Sequence, residues 1–297
     1  MFKRMMLWAV TNIAVIAVIT VILSVTGLGG ALNGGQGLLP MLLAAAVVGF
    51  TGSIISLLMS KKMAIHGMGV YVIQQPENQM EAWLVETVRR QAEEAGIGMP
   101  DVGIFDSADP NAFATGANKN ASLVAVSTGL LHNMNQDEVE AVLGHEIAHI
   151  ANGDMVTLTL IQGVVNTFVI FLSRIVAGII TNALQGNSDS DNDAPVENSG
   201  TFFIVSFVLQ IVFGFLASMI VAWFSRQREF RADEGGARLA GKSKMIGALQ
   251  ALQNQHANED LPGNLAAFGI SGKFTSLFSS HPPLEVRIEA LRNNSQF

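Results

Sequence analysis

From Thr201 to Trp223 the chain carries no charged side chain. Three further stretches, about Met6 to Leu28, Leu38 to Met59 and Val156 to Ala183, are of similar character. About 20 apolar residues in a helix cross about 30 Å of hydrocarbon, so each stretch predicts a transmembrane helix. Composition agrees: 14% of residues are charged and the mean hydropathy is +0.39. A soluble protein carries about 25% charged residues, so part of this surface is expected to face lipid. The fold class predicted is a mainly α integral membrane protein with four transmembrane helices. A cleaved signal peptide is the rival reading of the first stretch. The run is too long for a signal core, no small-residue cleavage site follows, and a second apolar stretch comes soon after.

The third stretch is the least uniform. Thr159, Gln162, Asn166 and Ser173 fall on one helical face, which should meet protein rather than lipid. Arg174 lies about 27 Å beyond Val156 at 1.5 Å per residue, near the far interface, and reads as an anchor. A hairpin of the third and fourth stretches that dips in without crossing is the alternative. Basic residues stand before the first stretch (Lys3, Arg4), after the second (Lys61, Lys62) and after the fourth (Arg226, Arg228, Arg231). The loop at 184–200 holds Asp189, Asp191, Asp193 and Glu197 and no Lys or Arg. The positive-inside rule therefore predicts cytoplasmic termini and a cytoplasmic 60–154 segment.

Residues 60–154 and 226–297 have globular character. Val70 to Gln75, Val102 to Phe105 and Leu123 to Ser127 read as strands. Asn78 to Ala95 reads as an amphipathic helix stopped by Gly96, and Asn135 to Asn152 as a helix opened by a capping box of Asn135 and Glu138. Pro283 to Arg292 reads as a final helix. The formal charge of -7 and the lack of a Lys/Arg block argue against nucleic-acid binding. With no cysteine, disulfides are excluded and any metal must be held by histidine and carboxylate.

The segment GHEIAHIANGD supplies such ligands. His145 and His149 are one helical turn apart, about 40° around the axis, so both imidazoles can reach one ion. Glu146 lies beside them, suited to take a proton from water. This is the H-E-x-x-H pattern of zinc peptidases. A catalytic zinc needs a third protein ligand. Glu229 and Asp233, four residues apart after the fourth stretch, share a helical face. One could bind the metal while the other orients an imidazole; equally, both could be helix charges paired with the neighbouring arginines. His149 precedes the third stretch and Glu229 follows the fourth by similar lengths. If both helices continue, the two ligand sets lie about 10 Å from the same membrane face, which favours one shared site.

HEIAH, EFRAD and SHPPLEVR, in this order and with these paired spans, resemble the HtpX family of bacterial heat-shock membrane proteases. Its wider group includes the CAAX prenyl endopeptidases. The resemblance covers essentially the whole chain. It implies a gluzincin-like zinc peptidase domain with a small β-sheet, one Zn2+ per chain held by His145, His149 and Glu229, and Glu146 as general base. Asp233 matches a carboxylate that orients a zinc-bound histidine, His281 a catalytic histidine near the substrate carbonyl, and Arg287 a nearby arginine. By residue type alone, His281 reads as a cap or surface group and Arg287 as structural. His66, His132 and His256 read as surface residues. The implied organisation is two N-terminal transmembrane helices (1–60), the first part of a cytoplasmic catalytic domain (61–154), the third and fourth membrane segments (155–224) and the second catalytic part (225–297). The implied role is hydrolysis of damaged or misfolded membrane proteins at a bacterial inner membrane. Its partners would be unfolded polypeptide and the bilayer, with self-cleavage also expected. A zinc-binding scaffold without catalysis is a second reading, distinguished by Glu146→Gln. A transporter is a third, disfavoured because Arg174 is the lone charge within the spans.

Overall fold

The structure, a computed structural model, describes residues 17–28, 37–185, 200–258 and 279–294. These fall into two units. One comprises Met1–Ser56 and Thr159–Val221, the other Leu57–Leu158 and Ala222–Phe297.

The first unit is helical. Residues 17–25 are helical (α1); the start of the first predicted span and residues 186–199 of the predicted acidic loop lie outside the described residues. Helices α2 (Leu38–Met68), α6 (Asp154–Gln185) and α7 (Gly200–Ala240) each begin or end in this unit. Among the described residues these three helices are long and apolar enough to cross a membrane. On α7, Phe207, Ile211 and Phe215 are exposed, a face that water would penalise and hydrocarbon would not. The polar stripe expected on α6 does meet protein. Gln162 donates to Asn166 at 2.8 Å, and Asn166 donates to Ser53 of α2 at 3.5 Å. The backbones come close there: a Cβ on Gly49 would lie 2.8 Å from the Thr167 nitrogen. Arg174 sits 5.9 Å from the centre of the Phe202 ring.

The second unit packs helices on a four-stranded sheet. Strands β1 (Tyr71–Val72), β2 (Asp101–Phe105), β3 (Ala112–Thr115) and β4 (Leu123–Ser127) run in the order β1-β2-β4-β3. β2 and β4 are parallel; the outer pairs are antiparallel. β4 is buried along its whole length, as a central strand with both faces covered should be. The segment from Asn111 to Ser127 is not one extended edge. The segment doubles back, so β3 alone is the edge and Ala125 is an interior residue paired with Gly103 and Phe113.

Helix α3 (Gln79–Ala95) buries Leu84, Val88 and Ala92, one apolar stripe at four-residue spacing. Asn78 caps its start, and Gly96 ends it at φ 66°, a left-handed position that glycine takes without a Cβ clash. Helix α4 (Thr128–Asn133) leads into α5 (Gln136–Asn152), which opens on the predicted Asn135/Glu138 capping box. α5 ends at Gly153, with φ 69°, and α6 begins at the next residue. Helices α8 (Lys242–Asn258) and α9 (Leu284–Asn293) complete the unit. Leu143, Ile147, Met245 and Leu249 form the centre of its core, each side chain worth about 1.5–3 kcal/mol of transfer free energy. Glu140 ties three helices together by pairing with Arg90 of α3 and Lys244 of α8.

Ser127 does more than begin α4. Its hydroxyl accepts from Leu130 N and Asn111 N and donates to the Asp109 carbonyl, at 2.9, 2.9 and 2.8 Å. It thereby holds the loop that leads into β3.

Candidate metal centre

The HEIAH helix presents His145 and His149 toward α7. Their rings are perpendicular, with centres 4.6 Å apart, and their Nε2 atoms approach to 3.1 Å. Glu229 of α7 completes the group. Its Oε1 lies 3.3 Å from His149 Nε2 and its Oε2 3.6 Å from His145 Nε2. The three side chains are 12%, 9% and 4% exposed in the order His149, His145, Glu229. Among the described residues these three alone converge ligand atoms in this way, all within 4.8 Å of one another.

What stands behind each ligand explains its orientation. His149 Nδ1 lies 2.6 Å from Asp154 Oδ2. His145 Nδ1 lies 3.0 Å from Asp233 Oδ1, although not in line for a hydrogen bond. A carboxylate facing Nδ1 favours the tautomer with its proton there. The Nε2 lone pairs of two neutral rings would then face each other and a carboxylate, which is repulsive unless a cation lies between them. A proton on one ring or a metal ion meets that need. The spacings suit a metal: tetrahedral bonds of about 2.1 Å put neighbouring ligand atoms about 3.4 Å apart. The donor set is the one zinc takes in catalytic sites, two imidazoles and a carboxylate with a position left over.

The electrostatics follow from the same contacts. Burial alone lowers the His149 pKa, but hydrogen bonds to Asp154 and Glu229, with the Glu146 charge nearby, outweigh it and raise the value to about 10. Burial alone raises Glu229, yet hydrogen bonds from His149 and His281 hold it well below the carboxylate range. Burial likewise works against the ionised form of Asp233, and the Arg287 bonds overcome it and depress its pKa.

The remaining residues named from sequence all reach this centre. His281 Nδ1 lies 2.7 Å from Glu229 Oε2, and its side chain is 62% exposed. Arg287 makes a two-pronged bond to Asp233, Nε to Oδ2 at 2.7 Å and Nη2 to Oδ1 at 2.6 Å. Its Nη1 is 3.3 Å from Glu229 Oε2. One guanidinium thus holds both carboxylates, a structural role as its residue type suggested. Glu146 is half-buried and faces a cavity of about 830 Å³ together with His145, His281 and Arg287. Asn111 and Ala112, at the start of the edge strand, lie on the same cavity, and Val142, Met245 and Leu249 give it an apolar wall. His66 and His132 are exposed, as expected, and each ring bonds to a carbonyl of its own helix. The side chain of His256 lies outside the described residues.

Two residues escaped the sequence reading. Asp154 orients His149, and Arg228 donates to the Asp154 carbonyl at 2.6 Å. The signal for Asp154 was the Gly-Asp pair that follows HEIAHIAN. A helix stop placed just there returns the next carboxylate to the last turn.

Residues 78–295 match the family model described as Peptidase family M48. The protein named Protease HtpX of Glaesserella parasuis serovar 5 (strain SH0165) is 58% identical over 290 residues, covering 98% of this chain and 99% of its own length. A protein of the same name from Haemophilus influenzae (strain PittEE) is 57% identical over 290 residues, with the same coverage. Among solved structures, the crystal structure of S. mikatae Ste24p superposes with a TM-score of 0.65 at 17% identity, over 98% of this chain and 67% of that one. At that identity the likeness concerns the fold.

Proposed function

The chain belongs to peptidase family M48 and is a multi-pass membrane metalloprotease, and on that footing we propose a zinc-dependent endopeptidase acting on damaged or misfolded membrane proteins. The proposal includes a cytoplasmic catalytic unit at a bacterial inner membrane and a part in the stress response. It also includes unfolded polypeptide as substrate and self-cleavage.

One observation carries the reading of the site: two Nε2 atoms and a buried carboxylate converge, each imidazole backed by its own aspartate. In this reading His145, His149 and Glu229 hold the ion. Zinc bound there supplies Lewis acidity and a more nucleophilic water near neutral pH. Glu146 accepts the water proton and delivers it to the departing amine. His281, on the cavity wall with its Nδ1 facing Glu229, stabilises charge growing on the scissile carbonyl oxygen. Arg287 keeps Glu229 and Asp233 ionised and in place, and Asp233 steadies His145. Substrate lies along β3 as an added strand. Backbone bonding there reads extended chain rather than sequence, which suits an enzyme that meets many unfolded segments.

The test is cleavage of casein and of a membrane protein by purified full-length chain, with and without chelator, beside Glu146→Gln. The expected result is retained zinc and a cleavage rate lower by about 10²–10⁴-fold in the variant. Zinc-loaded Glu146→Gln that cleaves at the parent rate would overturn the mechanism and favour a scaffold.

A further inference from the structure

The helix that carries Glu229 contains two adjacent glycines, Gly235 and Gly236, in its interior. Glycine is the least favourable helix residue after proline, so the pair calls for a reason. Gly236 lies seven residues after Glu229, about 20° around the axis, and so shares its face. It packs against His145 itself: a Cβ there would lie 3.0 Å from the His145 nitrogen and 2.9 Å from Met245 Sδ. From the other side, a Cβ on Gly144 would lie 3.3 Å from Gly236 Cα. The two backbones touch beside the first ligand. One turn along α5, a Cβ on Gly235 would lie 2.4 Å from the Cβ of Ala148, the residue before His149.

We propose that Gly235 and Ala148 form the spacer that sets the distance between the histidine helix and the Glu229 helix, and so the width of the metal site. This rests on the reading that His145, His149 and Glu229 hold the ion. Carbon atoms pack at about 3.5–4.0 Å, so a methyl group on Gly235, 2.4 Å from the Ala148 Cβ, leaves a shortfall of roughly 1.1–1.6 Å that only movement of the helices relieves. Ligand atoms on both helices move with their backbones. Metal sites tolerate displacements of about 0.5 Å, so the shift falls on affinity. Ala148 is the one side chain in the way, hence removing its methyl should make room for the new one. Gly235 and Ala148 are positioning residues; neither touches substrate.

The experiment uses full-length protein in detergent, in the Glu146→Gln background to prevent self-cleavage. Gly235→Ala, Ala148→Gly and the double variant are compared with the parent. Zinc affinity is read by chelator competition and the metal-free Tm by thermal unfolding. By helix propensity alone Gly235→Ala should raise Tm. The spacer predicts the reverse: a lower Tm and zinc affinity weaker by on the order of tenfold or more. The double variant should recover both, to the level of Ala148→Gly. Parent-like affinity in Gly235→Ala, or a double variant no better than Gly235→Ala, overturns the proposal, even where the single variant folds poorly. If the parent binds no zinc, the metal reading fails, and the spacer stands or falls on the Tm cycle.

Discussion

Asparagine at position 154 would keep the shape of the aspartate and remove its charge. In the structure Asp154 Oδ2 lies 2.6 Å from His149 Nδ1, and the side chain is 6% exposed. A hydrogen bond to a buried charged partner is worth about 1.5–3 kcal/mol net. Asparagine can still offer its amide oxygen, so part of that survives. About 1.4 kcal/mol is tenfold in a binding constant, so zinc affinity should fall by about 10–100-fold. Asp154→Asn is cleaner than Asp233→Asn, because Asp233 also neutralises the buried Arg287. The assay is chelator competition on the full chain, with cleavage measured at saturating zinc. Excess zinc should restore much of the rate, since the defect lies in holding the ion. An affinity within twofold of the parent would refute the claim that Asp154 orients His149.

His281→Ala should leave Tm close to the parent, because that side chain is largely exposed, loosen zinc through the lost bond to Glu229, and at saturating zinc lower kcat by on the order of 10²-fold with little change in KM; an unchanged kcat counts against its role at the carbonyl oxygen. Arg287→Met strands two buried carboxylates and should cost about 3–5 kcal/mol, seen as a large fall in Tm, with Arg287→Lys recovering only part because a point charge cannot span both Asp233 oxygens. Metal must displace the proton that His149 holds up to about pH 10, so zinc binding should release a proton and tighten as pH rises from 6 to 8; calorimetry in buffers of different ionisation enthalpy measures the release. The same raised pKa stabilises the metal-free fold fully below about pH 6.5, its ordinary value, and is lost as pH climbs through about 10, so metal-free Tm should decline over that window.

The parts of the centre legible in the sequence are those set by spacing along one helix. His145 and His149 share a face because they are four residues apart, and Glu229 and Asp233 likewise. The capping box and Gly96 marked helix ends because their chemistry is local. Contacts that depend on how elements pack were not legible from spacing. A catalytic role for His281 came only from family resemblance, and its contact with Glu229, 52 residues away, came from neither spacing nor resemblance. The edge strand β3 is four residues long between turn residues, too short for an alternating pattern to register. Asp154 was hidden by its position at the head of an apolar helix, where it reads as a favourable first-turn acid.

The mouth of the cleft is governed by a residue that meets no substrate. Ser127, wholly inaccessible to solvent, is the single post to which Asp109, Asn111 and Leu130 are all tethered. Losing its oxygen would unfasten three backbone groups at once, in a place where water cannot replace it. Asp109 and Asn111 line the cleft, so Asp109 would lose this tether and Asn111 would keep only the bond its carbonyl accepts from Ser127 N at 2.8 Å. How far the entrance gapes is therefore decided behind the sheet rather than at its surface, and attempts to widen or narrow what this protein admits would do well to begin there.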